Sequence, residues 1–285
     1  MEAYLRSLVT TALWEDFRYG SDAATIATTG SHNRDCLAVV RAREAGILAG
    51  VEVLPLTVEQ LAATPNAPEG TARVEILIRD GEPLEVGEDI ARITGATEVV
   101  LAAERTMLNV LSHASGIATA TRRWVDAVAG TRTRIRDTRK TLPGLRELQK
   151  YAVRCGGGVN HRMGLGDAAM VKDNHLVDRS PAEAFTELAR RYPQLPREIE
   201  VDTLEQLAEL LPLQPELILL DNFSVEDTAR AVDMTRSVSP TTALESSGGL
   251  RVEVAADYAA TGVDFLAVGA LTHSVRALDI GLDFE

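Results

Sequence analysis

EIEVDTLEQLAELLPLQPELILLDNFSVED, residues 198–227, is the stretch that decides the fold. Two short apolar runs, EIEVDT (198–203) and LILLDNF (217–223), each end on polar or acidic side chains, with a helical pattern between them. Thr203 to Gln206 and Ser224 to Asp227 carry the capping-box spacing that starts a helix directly after each run. Strand, helix and strand in so few residues make a βα repeat, which requires a parallel sheet.

The same pattern extends in both directions. RTRIRDT (132–138), AAMVKDN (168–174), TALESSGG (242–249) and FLAVGAL (265–271) read as further strands, and Ser180 to Glu183 is a third capping box. The spacing of about 20–35 residues suits βα units. Nearly every strand finishes on polar residues: Asp137/Arg139/Lys140, Lys172/Asp173, Glu200/Asp202, Asp221/Asn222, Glu245/Ser246/Ser247, and Gly269 followed by His273. Helix capping alone accounts for any one of these. Six together favour a βα barrel, whose strand ends converge on one face, over an open sheet, where only the switch point does so.

Upstream the pattern differs. Residues 1–12 read as a short helix, and 36–53 and 72–95 have β character, with a turn at Asp80-Gly81 and a Pro/Gly loop at 64–70. Residues 98–130 read as a long helical segment that Ser115-Gly116 is expected to break or kink.

A chain of 285 residues fits one large domain or two smaller ones. Its net charge of −13 argues against nucleic acid as a partner. No apolar run is long enough to span a bilayer, and the N-terminal MEAYLRSLVTTALWEDF lacks the regions of a signal peptide. Cys36 and Cys155 form no disulfide framework and no metal spacing, so a cytoplasmic protein is expected.

Against this acidity stands an island. Residues 131–172 hold ten Lys/Arg and three acids, a net +7. Concentrated basic charge in an acidic chain marks an anion site. Arg139, Lys140, Arg162 and Lys172 form its core, because guanidinium forks and ammonium charges hold carboxylates and phosphates. Arg146, Lys150 and Arg154, four residues apart, read as one exposed helix face. GGGVNHRMGLGD (156–167) is a Gly-rich loop that lets the backbone approach an anion, and His161-Arg162 within it strengthens that reading. Glu200 and Asp221 are either helix caps or a site for Mg²⁺-pyrophosphate or ribose hydroxyls. SSGG (246–249) and AVGALTHS (267–274) place small residues where barrels hold phosphate. The set describes a polyanionic substrate pair, with no Ser-His-Asp arrangement, zinc site or redox motif.

ERTMLNVLSHASGIAT (104–119), RDTRKTLPGLRELQKYAVRCGGGVNHRMGLGD (136–167), KDNH (172–175), EVDT (200–203), LLDNF (219–223), LESSGG (244–249) and VGALTHS (268–274) resemble the carboxylating nicotinate-nucleotide pyrophosphorylases, the quinolinate phosphoribosyltransferase family. The resemblance is strong over about residues 95–283. It implies an α/β fold with an N-terminal α/β sandwich domain (1–112, with tail 275–285 packing back) and an incomplete, open TIM-like α/β barrel (113–274). It also implies a cytoplasmic homodimer with shared active sites, or a higher oligomer. The activity implied is Mg²⁺-dependent phosphoribosyl transfer from phosphoribosyl pyrophosphate to quinolinate with decarboxylation, in de novo NAD biosynthesis.

The resemblance also assigns roles. Arg139, His161, Arg162 and Lys172 surround the quinolinate carboxylates, and Arg105 reaches the same substrate from the neighbouring subunit. Thr138 and Lys140 lie beside them, Lys140 towards the phosphoribosyl donor. Glu200 and Asp221 meet the ribose hydroxyls and the metal, directly or through substrate and water. Ser247, Gly248, Gly249, Val268, Gly269, Ala270 and His273 take the phosphate end. Three rivals remain: a molybdenum-transport-associated paralogue on the same scaffold, a silent anion-binding protein, and a barrel lyase or aldolase using Lys172 as a Schiff base. The TRK, NHR and ESSGG blocks argue against the first, and the crowd of cations against the last.

Overall fold

The structure, a computed structural model, describes residues 1–29, 34–176 and 179–285. It divides into two compact units. The first holds residues 1–120, 147–156 and 274–285, and the second holds 121–146 and 157–273.

In the first unit, β1 (Asp35–Ala42), β3 (Ala72–Ile76), β5 (Asp89–Ala96) and β12 (Ile280–Phe284) form a sheet in the order β12-β1-β5-β3. All of its pairings are antiparallel, and the C-terminal strand lies along β1 with Ala42 opposite Ile280 and Ala38 opposite Phe284. β2 (Gly46–Ile47) and β4 (Pro83–Leu84) form a small separate pair. Helix α1 (Glu2–Phe17) is longer than expected, because Leu5, Val9, Leu13 and Phe17 continue one buried stripe beyond Ala12. Helices α2 (Ala23–Thr29) and α3 (Val53–Leu61) follow. The sequence reading missed α3, whose apolar VLPL start resembles a strand. Pro55 is accommodated because the first turn of a helix needs no N–H donors.

Helix α4 (Thr97–Ala127) runs unbroken through Ser115-Gly116, contrary to the expected break. These residues serve packing instead. A Cβ on Gly116 would lie 2.2 Å from the Arg276 carbonyl oxygen, so glycine admits the returning chain. Ser115 Oγ accepts from the Ala49 backbone N–H at 3.1 Å. The first unit takes in α4 as far as residue 120, beyond the expected end at 112. Helix α5 (Arg146–Cys155) lies mostly in the first unit, although its sequence sits inside the expected barrel domain. It buries Leu148, Gln149, Lys150, Ala152 and Val153. The exposed-face reading therefore fails at Lys150, whose side chain is wholly buried, while Arg154 is exposed and stacks on Tyr151.

In the second unit, β6 (Arg134–Arg136), β7 (Ala169–Val171), β8 (Arg197–Val201), β9 (Leu217–Asp221), β10 (Ala243–Ser247) and β11 (Phe265–Ala267) form one parallel sheet. Its order is β6-β11-β10-β9-β8-β7, so the last strand returns to the first as in a barrel, but β6 and β7 do not pair. A single bridge from Arg136 to Val159 stands on the open edge of β6. Helices α6 (Pro181–Arg191), α7 (Leu204–Leu210), α8 (Val225–Val238), α9 (Ala255–Ala260) and α10 (Ala270–His273) connect or follow the strands. Ser180, Thr203 and Ser224 cap α6, α7 and α8 through their side-chain oxygens, as the sequence spacing predicts. Because the strands are parallel, all six carboxyl ends share one edge.

Candidate active site

A cavity of about 740 Å³ opens at that edge. Thr138, Arg139, Lys140, His161, Arg162, Lys172, Asp221, Ser247 and Gly248 all line it. The two arms of the basic island thus meet in one place. Asp137, fully buried at the end of β6, accepts from the His161 backbone N–H at 2.8 Å and from Asn160 Nδ2 at 2.5 Å. Thr138 Oγ1 accepts from Lys140 N at 3.0 Å, and Thr272 Oγ1 donates to Lys140 O at 2.8 Å. The backbone carrying Arg139 and Lys140 is held from both sides.

Burial lowers the Arg162 pKa and Arg139 beside it lowers it further, while Glu198 and Asp167 partly offset both. Arg162 is aimed by one hydrogen bond to Ala168 O at 3.1 Å. The pocket also has apolar walls, Leu165, Met170, Val171, Leu188 and Leu219, which suit the faces of a flat ring.

Glu200 is buried, and its carboxylate meets Lys172 Nζ. Burial raises the Glu200 pKa; Lys172 opposes this and Asp221 adds to it. Burial likewise raises Asp221, with Lys172 and Lys140 pulling the other way and Asp202 reinforcing it. Two carboxyls at neighbouring strand ends, both pushed up, suit a hard cation that shares them with phosphate oxygens.

The side expected to take phosphate is built from backbone. Ser247 stands opposite Asp221 in register, and Gly248 and Gly249 turn away with φ of 99° and 55°. A Cβ on Gly269 would come within 3.1 Å of Lys140 Cδ and 3.2 Å of His273 Nε2, so glycine lets both side chains close over the chain. Val268 is buried and donates its N–H to Arg136 O at 2.9 Å, a supporting position, while Ala270 and His273 are exposed at the two ends of the short helix α10. Arg105 stands apart from the predicted set: it lies on α4 in the first unit, 67 % exposed, and borders a separate surface hollow with Asn109, Ser112 and Arg276.

Sequence reading missed the floor beneath His161. His161 Nε2 lies 2.7 Å from Glu198 Oε2 and 3.5 Å from Glu245 Oε1, and Arg136 binds Glu245 Oε2 at 2.8 Å. His161 Nδ1 accepts from Arg162 N at 2.7 Å, which assigns the ring proton to Nε2, facing the carboxylates. The three donor groups lie within 4.8 Å of one another, and Arg136 already supplies a cation to this cluster. The signal that could have located the floor is the i, i+2 spacing of Glu198 with Glu200 and Glu245 with Ser247, which puts each pair on one face of its strand.

Burial raises the Glu245 pKa, Glu198 raises it further and Arg136 partly offsets both. A carboxyl whose folded pKa exceeds its unfolded one contributes stability that is complete below the unfolded value and lost as pH rises through the folded value. Glu245→Gln removes that dependence. Between pH 5 and pH 8 the melting temperature of the wild type should therefore fall relative to that of the variant. Parallel melting curves across the range would contradict a buried, proton-holding Glu245.

The quinolinate phosphoribosyl transferase N-terminal and C-terminal domain descriptions match residues 22–115 and 117–283. The chain belongs to the quinolinate phosphoribosyl transferase family. Members similar to it include the nicotinate-nucleotide pyrophosphorylase [carboxylating] of Mycobacterium leprae, 53 % identical over 98 % of this chain and 96 % of that protein. A probable enzyme of the same name from Bacillus subtilis is 36 % identical over 88 % of this chain and 84 % of its own length. The solved nicotinate-nucleotide pyrophosphorylase of Francisella tularensis superposes with a TM-score of 0.90 at 34 % identity, covering 100 % of this chain and 97 % of that one. As a quinolinate phosphoribosyl transferase family member, the chain has the expected mixed α/β fold, with an N-terminal sheet domain and an open parallel-sheet domain. Among its described residues no helix is long and apolar enough to cross a membrane.

Proposed function

We infer that this chain transfers the phosphoribosyl group of phosphoribosyl pyrophosphate to quinolinate and releases carbon dioxide and pyrophosphate, giving nicotinate mononucleotide for NAD biosynthesis. The observation that carries this reading is one cavity in which Arg139, Lys140, Arg162 and Lys172 converge opposite Asp221 and the Ser247-Gly248 turn. Such a cavity fits a dicarboxylate at one end and a phosphoribosyl donor at the other.

The chemistry asks for positioning and charge stabilisation rather than a nucleophilic side chain. As pyrophosphate leaves, the ribose carbon becomes cationic, and the ring nitrogen of quinolinate attacks it in line. Arg139, Arg162 and Lys172 hold the carboxylates, and His161, fixed by Asp137 and Arg162 N–H, packs beside them. The quaternised nitrogen then stabilises the carbanion left by the departing carboxylate, and a proton takes its place. Lys140, Ser247, Gly248, Gly249, Gly269, Ala270 and His273 hold the phosphates.

Glu200 and Asp221 would hold Mg²⁺, which supplies charge neutralisation of the pyrophosphate. Their places at the carboxyl ends of the adjacent parallel strands β8 and β9 support this assignment. Chelation should abolish turnover and added Mg²⁺ restore it, and Asp221→Asn should need a higher Mg²⁺ concentration for half-maximal rate. Turnover indifferent to both treatments would remove the metal from the site.

The working form is a cytoplasmic homodimer in which Arg105 of each chain serves its partner's cavity. The exposure of Arg105 beside Asn109 and Arg276 supports a role in trans, and two thiols without a disulfide support the compartment. Mixing inactive Arg105→Ala and Arg139→Ala proteins should restore part of the activity. No recovery after demonstrated subunit exchange would contradict shared sites.

A further inference from the structure

We infer that Asn222 is a positioning residue for the phosphoribosyl donor, joining the Asp221 carboxylate to the Ser247–Gly248 turn so that both face one ligand; this rests on the functional reading above. Three observations converge on it. Asn222 has a φ of 56°, in the left-handed region that few residues other than glycine adopt. Its backbone N–H donates to Ser247 O at 2.9 Å, and its Nδ2 donates to Asp221 Oδ2 at 2.6 Å. Its Oδ1 occupies the place that a Cβ on Gly248 would need, 2.1 Å away.

One side chain therefore touches both halves of the proposed donor site. The hydrogen bond to Oδ2 fixes the rotation of Asp221 and leaves Oδ1 to turn towards a ligand in the cavity that Asp221 lines. The left-handed backbone is what brings the amide back over its own neighbour, and asparagine tolerates that conformation better than most residues. A plain turn former would not need its amide between a carboxylate and a phosphate-binding turn. Strain at a strand end beside a cavity is the pattern expected where geometry serves a ligand.

Two variants separate positioning from turn formation. Asn222→Gly keeps the backbone conformation and removes the amide. Asn222→Asp keeps size and turn preference but sets a carboxylate against Asp221. Both should raise the KM for phosphoribosyl pyrophosphate, and its calorimetric Kd without quinolinate, by about tenfold or more, as loss of one charge-assisted hydrogen bond implies. The KM for quinolinate should stay within about twofold on the same scale. An equal rise for both substrates, an unchanged donor Kd, or wild-type donor affinity in Asn222→Asp would overturn the inference. Failure of the functional reading looks different: the wild type itself would make no nicotinate mononucleotide or bind no phosphoribosyl pyrophosphate.

Discussion

Replacing Arg162 by alanine is expected to raise the KM for quinolinate by about 10²-fold or more and to leave the KM for phosphoribosyl pyrophosphate within about twofold. A charge-assisted hydrogen bond is worth about 1.5–3 kcal/mol, and a guanidinium fork makes two to a carboxylate. Tenfold corresponds to about 1.4 kcal/mol, so even the lower figure for two bonds exceeds 10². Arg162 lines the cavity, held by Ala168 O, and an incoming anion would relieve the repulsion from Arg139 that helps lower its pKa. Lysine at this position keeps the charge but not the fork, and should recover only part of the loss. Steady-state kinetics with each substrate varied in turn checks this. Near-normal quinolinate kinetics in Arg162→Ala would remove Arg162 from the substrate pocket.

Gly248→Ala is expected to lose donor binding and stability together. The new Cβ would sit 2.1 Å from Asn222 Oδ1, and the backbone φ of 99° is one that alanine rarely adopts. The strain alone is about 1–3 kcal/mol. Relief requires Asn222 to swing away, which releases Asp221 and shifts the backbone of the phosphate turn. The KM for phosphoribosyl pyrophosphate should rise by about 10²-fold, from loss of about two charged-group hydrogen bonds, and the melting temperature should fall. Gly249→Ala makes a useful contrast, since a Cβ there meets nothing within 4 Å; its cost should be confined to the left-handed φ of 55°. Equal damage from the two substitutions would contradict the steric account of Gly248.

The second unit was legible because its strands are short apolar runs with charged ends, and the caps at Ser180, Thr203 and Ser224 fix where each helix begins. The cationic arms were legible for the same reason: residues at the ends of parallel strands must share an edge. The first unit was less legible. Its α3 begins with a strand-like sequence, and its closing strand β12 pairs with β1 across some 240 residues, which no local pattern announces.

Within the site, the grouping of Glu198, Glu245 and Arg136 escaped notice, although Glu245 was read as a polar strand end, because their meaning is tertiary. Each looks like an ordinary strand residue until three strands bring them under His161. Lys150 shows the converse limit, since a lysine spaced four residues from two arginines reads as surface although α5 buries it. Ser115-Gly116 was visible but misread: a pair that can kink a helix here admits a neighbouring chain instead.

The most direct measurement of the central claim is product formation from purified protein given quinolinate, phosphoribosyl pyrophosphate and Mg²⁺, with nicotinate in place of quinolinate as the control. The account predicts nicotinate mononucleotide, carbon dioxide and pyrophosphate in equal amounts from quinolinate, and little product from nicotinate, which lacks the carboxylate beside the ring nitrogen. Absence of nicotinate mononucleotide with quinolinate, or equal turnover of nicotinate, would contradict it.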